Sequence, residues 1–180
     1  RWGDSVTVTT WPSGAQRAYA LREFHIADQS GDELAVATTA WLLLDAKTRR
    51  PRRPDPEIVE MATRTPPRVL DDVFGPLPEG TFAVRGREER IAYSDVDVNG
   101  HTNNVALIRY ALDSTPLETL ATHELGDFEV AFLYESRAGD VMESRIAPAG
   151  SDEPAFLHRL ALEPAGRDVC AAYSRWRPRP

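Results

Sequence analysis

The chain of 180 residues carries a single cysteine, Cys170, and a single lysine, Lys47. One cysteine excludes an internal disulfide framework, a CxxC redox pair and a cysteine-based zinc site, and it fits a reducing, cytoplasmic setting. With Lys47 alone among 21 basic residues, the arginine bias points to a GC-rich, bacterial genome. Long apolar runs are scarce. The longest, Leu34 to Leu44, includes two threonines and is far shorter than the roughly 20 residues a membrane helix needs. Arg1 leads into a strand-like segment rather than the apolar run of a secretory leader, so a soluble protein with no membrane contact is expected. Positive charge is in deficit, with 21 Lys+Arg against 28 Asp+Glu and a net charge of −7, which argues against a generic nucleic-acid binder. No HExxH, Cys/His cluster, GxGxxG or GxSxG occurs, so neither a metal nor a dissociable cofactor is expected. What is present is 42% hydrophobic residues, enough for a packed core.

Residues 4 to 45 read as three antiparallel strands. Val6 and Val8 alternate with polar residues; Ala18, Ala20, Phe24 and Ile26 share one parity; Leu34 to Leu44 looks buried. The expected turns are Pro12-Ser13-Gly14 and Asp28 to Asp32. From Thr48 to about Gly80 the pattern dissolves into arginine- and proline-rich sequence with a short helix near Glu57 to Ala62, read as an interdomain linker. A strand is then expected over 82–93, a polar loop, and a helix over 103–113 with Val105, Ile108 and Leu112 as its apolar stripe. A second helical turn runs to about His123, and strands near 127–135, 140–147, 155–163 and 168–177 complete the chain.

An internal repeat organises these elements. Gly3-Asp4 matches Gly139-Asp140 at an offset of 136, and Gly31 and Trp41 match Gly166 and Trp176 at an offset of 135. In the second copy the three-strand pattern follows a strand, a helix and another strand over residues 82–138. The first copy has no counterpart to them, so the chain is expected to start partway through its first domain.

The segment from Ser94 to Asn104, SDVDVNGHTNN, is the most unusual in the chain by composition and the candidate to carry chemistry. If its first part is extended, Asp97, Asn99 and His101 project to one side and Val96 and Val98 to the other. A carboxylate, an amide and an imidazole then share one space. Thr102, Asn103 or Asn104 can cap the following helix, whose N-terminus suits a developing oxyanion. That combination supports acyl transfer or hydrolysis. On spacing alone, structural turn and cap roles are equally good readings. A calcium loop fits less well, because Ala106 stands where the twelfth position needs an acid.

Tyr93 to Val105, together with Trp2-Gly3-Asp4, Thr10-Trp11-Pro12, Arg22-Glu23-Phe24 and Trp41 through Arg53, resembles the acyl-acyl-carrier-protein (acyl-ACP) thioesterase family. The resemblance implies an α+β tandem (double) hotdog fold, in which an antiparallel sheet wraps a central helix, with the first repeat incomplete in this chain. It places the C-terminal part of the first hotdog domain at residues 1–48, the linker at 49–80 and the catalytic second domain at 81–180. It also implies catalytic roles for Asp97, Asn99, His101 and Glu135. Plant members commonly have cysteine after this glutamate, where this chain has Ser136; a thiol nucleophile is therefore not expected, while Ser136 can still contribute a hydrogen bond. For Glu135 a physical reason stands beside the resemblance: it ends an apolar strand, where burial would make it a better proton acceptor.

The implied reaction is hydrolysis of the thioester between a fatty acyl chain and the phosphopantetheine of acyl-carrier protein, in fatty acid biosynthesis, with no cofactor. Asp97 either orients the network or attacks directly. An acyl-CoA thioesterase, or a catalytically silent protein that binds acyl chains or carrier protein, is the alternative. An acidic carrier calls for a basic surface, which Arg49, Arg50, Arg52 and Arg53, or Arg175, Arg177 and Arg179, would supply. A homodimer stays open, because a tandem pair already provides the pairing single hotdogs obtain by dimerising. His25, His123 and His158 are expected to be structural or exposed, Trp11, Trp41 and Trp176 to pack in the core or on the sheet, and Cys170 to be inert.

Overall fold

The computed structural model describes residues 3–71, 74–82, 86–150 and 153–179, and the chain divides into two compact units, Arg1–Gly75 and Pro76–Pro180. In the first unit, β1 (Thr7–Gln16), β2 (Tyr19–Ala27) and β3 (Glu33–Leu42) form an antiparallel sheet in that order. Pro12-Ser13-Gly14 is not the turn its composition announces. It lies inside β1, where the register shifts between Pro12 and Gly14. An edge strand tolerates proline, because the missing N–H faces no partner strand, and the bulge absorbs the extra residue. The chain reverses instead at Arg17 and Ala18, with Arg17 in the left-handed region at φ 56°. The second turn forms where its composition places it: the Asp28 carboxylate accepts the N–H groups of Ser30 (2.8 Å) and Asp32 (3.0 Å).

A short helix, α1 (Pro56–Ala62), begins on a proline whose fixed φ suits a first turn and packs against β1. Beyond it the chain is tied to the same sheet. Thr65 Oγ1 donates to the Pro12 carbonyl (2.7 Å), the Trp11 indole donates to the Pro67 carbonyl (3.3 Å), and the Val69 N–H reaches the Glu23 carboxylate (3.2 Å). Glu23 is fully buried and also accepts from the Ser13 and Thr38 hydroxyls, with Arg68 at 3.7 Å. A carboxylate removed from water is tolerable only with such a set of donors.

The second unit contains β4 (Glu88–Arg90), a 3-10 turn (Tyr93–Asp95), α2 (Asn104–Leu112), α3 (Leu117–Thr122), β5 (His123–Phe132), β6 (Val141–Pro148), β7 (Ala155–Glu163) and β8 (Arg167–Pro178). Its five strands form an antiparallel sheet in the order β4-β6-β7-β8-β5. Of the strand expected over 82–93, residues 83–85 lie outside the described residues; in the remainder only β4 is a strand, and Tyr93 belongs to the 3-10 turn. The helix α2 lies against β6 and β7. Its buried face is Ala106, Leu107, Tyr110 and Ala111 rather than the expected stripe, and Val105 is exposed. The small Ala106 and Ala111 let the helix sit close to the sheet, where Leu107 and Tyr110 join Met142, Leu160, Val169 and Cys170 in the core. Shape complementarity to the sheet, rather than hydropathy alone, chose the face.

The internal repeat is visible in the backbone. Gly3 and Gly139 take φ of 95° and 91°, and Gly31 and Gly166 take 91° and 60°, conformations open to glycine because it lacks a Cβ. In each copy a tryptophan donates to the hydroxyl two residues before it, Trp41 to Thr39 at 2.8 Å and Trp176 to Ser174 at 2.9 Å. Trp176 is core, as expected. Trp41 is not: it is 58% exposed, because among the described residues α1 and the segment after it are tied to the Glu23 side of the first sheet, and Trp41 stands on the opposite face.

Candidate active site

The loop from Asp95 to Asn103 is a closed hairpin, not the extended segment that strict alternation predicts. Val96 and Thr102 form a bridge pair, and backbone bonds run from Asp97 N to His101 O (2.8 Å), Gly100 N to Asp97 O (3.0 Å) and Asn103 N to Asp95 O (2.7 Å). Gly100 supplies the left-handed turn at φ 78°. Asp97 is the organiser. Its Oδ1 accepts the N–H groups of Asn99 (2.8 Å) and His101 (3.2 Å), and its Oδ2 accepts from the Asn99 amide (3.3 Å). Hydrogen bonding from the Asn99 backbone, joined by the bonds from His101 N–H and the Asn99 amide, holds the Asp97 carboxyl below the usual carboxylate range. With the chain reversed, Val98 is fully exposed at the tip.

Both ends of this hairpin are anchored. The Asp95 carboxylate accepts from the Arg109 guanidinium (2.7 Å) and the Tyr110 hydroxyl (2.6 Å), fixing the first end to α2. Burial, with the bond to Asp95, pushes the Tyr110 phenol up to about 12, so it remains a donor at any working pH. At the second end the Asn103 side chain accepts the Val105 N–H (2.8 Å), capping α2.

His101 Nε2 lies 3.2 Å from Glu135 Oε2. Glu135 stands just past β5, where Leu133 N–H donates to the Val169 carbonyl (2.8 Å) and Thr102 N–H donates to the Ser136 carbonyl (2.7 Å). The Glu135 side chain is 47% exposed, which corrects the expectation of burial: β5 ends at Phe132, and the residues after it turn toward the hairpin and solvent. Asp97, His101 and Glu135 share one open cavity of about 250 Å³, with Leu107 and Phe132 among its apolar walls. Asn99 is not on that wall. Its amide is turned back onto Asp97, so its place is in the hairpin.

Family models for the acyl-ACP thioesterase N-terminal and C-terminal domains match residues 1–62 and 84–178. The chain belongs to the acyl-ACP thioesterase family. A chloroplastic acyl-[acyl-carrier-protein] hydrolase of Cuphea viscosissima is 34% identical over 189 residues, covering 99% of this chain and 45% of that protein. An oleoyl-acyl carrier protein thioesterase of Arabidopsis thaliana is 26% identical over 99% of the chain and 57% of its own length. The chain thus spans about half the length of the curated relatives it matches. Among solved structures, an acyl-ACP thioesterase from Bacteroides thetaiotaomicron superposes with a TM-score of 0.79 at 24% identity, covering 96% of this chain and 68% of that one. A 12:0-ACP thioesterase from Umbellularia californica does so with 0.80 at 24%, covering 99% and 68%. The fold is therefore the α+β tandem hotdog of acyl-ACP thioesterases.

Two features of this family member were not read as site residues from sequence. Asn104, a candidate cap, instead lines the cavity, because Asn103 takes the capping role. Thr102, another candidate cap, is buried against Ser136; the signal available was its position next to His101. The basic surfaces are not equivalent. Arg175 pairs with Asp127, and Arg177 with Glu124 (2.8 Å), while Arg179 donates to the His123 and Leu120 carbonyls, so acidic neighbours offset much of the C-terminal charge. In the first unit Arg52 pairs with Asp55, and Arg50 and Arg53 are exposed. No described helix is long and apolar enough to cross a membrane.

Proposed function

We propose that the chain carries the catalytic half of an enzyme that hydrolyses the thioester of fatty acyl-acyl-carrier protein, releasing a free fatty acid in the cytoplasm of a bacterium. The observation that carries this reading is the 3.2 Å approach of His101 Nε2 to Glu135 Oε2 on the wall of one cavity, in a member of a family whose named relatives are acyl-ACP hydrolases. An imidazole beside a carboxylate forms an acid–base pair able to take a proton from water and return it. In this reading water attacks the thioester carbonyl and a C–O bond forms while its proton passes to the His101–Glu135 pair. The C–S bond then breaks, and the pair returns the proton to the departing phosphopantetheine thiolate.

Asp97 and Asn99 organise the hairpin in this scheme. The bonds Asp97 accepts from Asn99 and His101 support an orienting role over direct attack, because they engage both of its oxygens. The first turn of α2 opens on the cavity at Asn104, where a helix N-terminus stabilises the negative charge that develops on the carbonyl oxygen. The test is release of acyl chains from a panel of acyl-ACPs, with the same chains on CoA as competitors. We expect turnover on carrier protein and a loss of at least about a hundredfold in both His101→Ala and Glu135→Gln. Binding without turnover would overturn the enzymatic reading, and faster release from CoA would overturn the carrier assignment.

A further inference from the structure

We propose that Thr102 and Ser136 form a buried hydroxyl clasp that sets the separation of His101 from Glu135, making both positioning residues for the site. The proposal rests on the hydrolytic reading above for its kinetic consequence, and on geometry for its existence. Thr102 follows His101 directly, and Ser136 follows Glu135 directly. The two meet twice: the Thr102 N–H donates to the Ser136 carbonyl at 2.7 Å, and the Ser136 hydroxyl donates to Thr102 Oγ1 at 2.8 Å. Ser136 is 2% exposed and Thr102 6%.

A lone backbone bond fixes a distance but lets the two segments pivot about it. A second bond between the side chains, directed at a different angle, removes that pivot. The neighbours His101 and Glu135 then face each other at 3.2 Å with the hairpin's other closures already satisfied. The pair sits directly beside both acid–base residues, where a small change in backbone angle becomes a change in the acid–base distance, and misplacement of about 1 Å in a catalytic group can cost up to about a hundredfold. A nucleophilic role for Ser136 has less support, since its hydroxyl proton is committed to Thr102 and the residue is almost wholly buried.

The test compares Thr102→Val and Ser136→Ala with the hydroxyl-retaining Thr102→Ser in the full chain. The two deleting variants should each lower kcat about tenfold with KM within about twofold, as expected for loosened positioning rather than lost binding. Their double variant should be no slower than either single, because removing both partners leaves no buried hydroxyl unmet. Thr102→Ser should stay near the wild type. Independently of turnover, the nitrogen-15 signal of His101 Nε2 should move in Thr102→Val toward its position in Glu135→Gln. A wild type that turns over no acyl thioester would defeat the hydrolytic reading, yet this signal would still decide the clasp. Unchanged kcat with only a lowered melting temperature, strictly additive losses, an unmoved His101 signal, or an acyl group trapped on Ser136 would each overturn it.

Discussion

The two three-strand ladders differ most at a position they share. Trp41 and Trp176 make the same short-range bond to a hydroxyl two residues back, yet Trp41 is 58% exposed and Trp176 5%. In the second unit α2 covers the face that carries Trp176, and His158 on that face bridges Ser174 (2.8 Å) and Ser114 (3.1 Å). In the first unit the described residues after β3 are tied to the opposite face, through Glu23. Strand alternation and turn chemistry thus produced the same local device twice, while burial followed whatever packed on each face.

Removing the polar centre of each unit should break this contrast most sharply. Glu23→Ala leaves the Ser13 and Thr38 hydroxyls and the Val69 N–H without their shared acceptor, and should destabilise the first unit by about 3–5 kcal/mol, read by urea unfolding with a probe in each unit. Trp176→Ala should cost the second unit a similar amount, about 3–5 kcal/mol, from the cavity it leaves. Equal effects at Trp41 and Trp176 would refute the difference in burial.

His158 gives the comparison a pH axis. Burial pushes its imidazole down from the ordinary 6.5 to about 4. The unfolded chain therefore binds the proton first, and stability conferred by the neutral ring is present above pH 6.5 and lost as pH falls toward 4. On the order of 3 kcal/mol should disappear across that window. His158→Gln should flatten the profile of melting temperature against pH there; an unchanged slope would assign the acid sensitivity elsewhere. Asp95→Asn weakens the anchor to Arg109 and Tyr110 and should lower kcat about tenfold with the fold retained. Smallest of all, Trp41→Ala should shift stability by less than about 1 kcal/mol, since most of its ring already meets solvent.

Much of the fold was legible in the sequence. The repeat was carried by Gly3, Gly31, Trp41 and their partners, because a left-handed glycine and a strand-end tryptophan are requirements of the local chain. The helix α2 and its asparagine cap were legible for the same reason. The turn at Pro12-Ser13-Gly14 was misread, because a bulge in an edge strand uses the same residues as a reverse turn. The face of α2 was misread as well, because Ala106 and Ala111 are buried for their small size, which hydropathy spacing undervalues. At the candidate site, the motif drew attention to Asp97, Asn99 and His101. The hairpin geometry was not legible, since it depends on one carboxylate accepting several bonds from its own loop. Cys170 lies in the core, where burial pushes its thiol up to about 12, in keeping with its expected inertness.

By itself the sequence determined the strands of the two ladders, the turn at Asp28 to Asp32, the helix start and the family, because each depends on residues within a few positions or on a long contiguous motif. Only the tertiary structure decided that His101 meets Glu135, that Thr102 meets Ser136, and that one tryptophan of the pair is buried and the other is not. Those outcomes depend on segments distant in the chain packing against one another, and a distance between them is fixed by volume and hydrogen-bond geometry that no local pattern encodes.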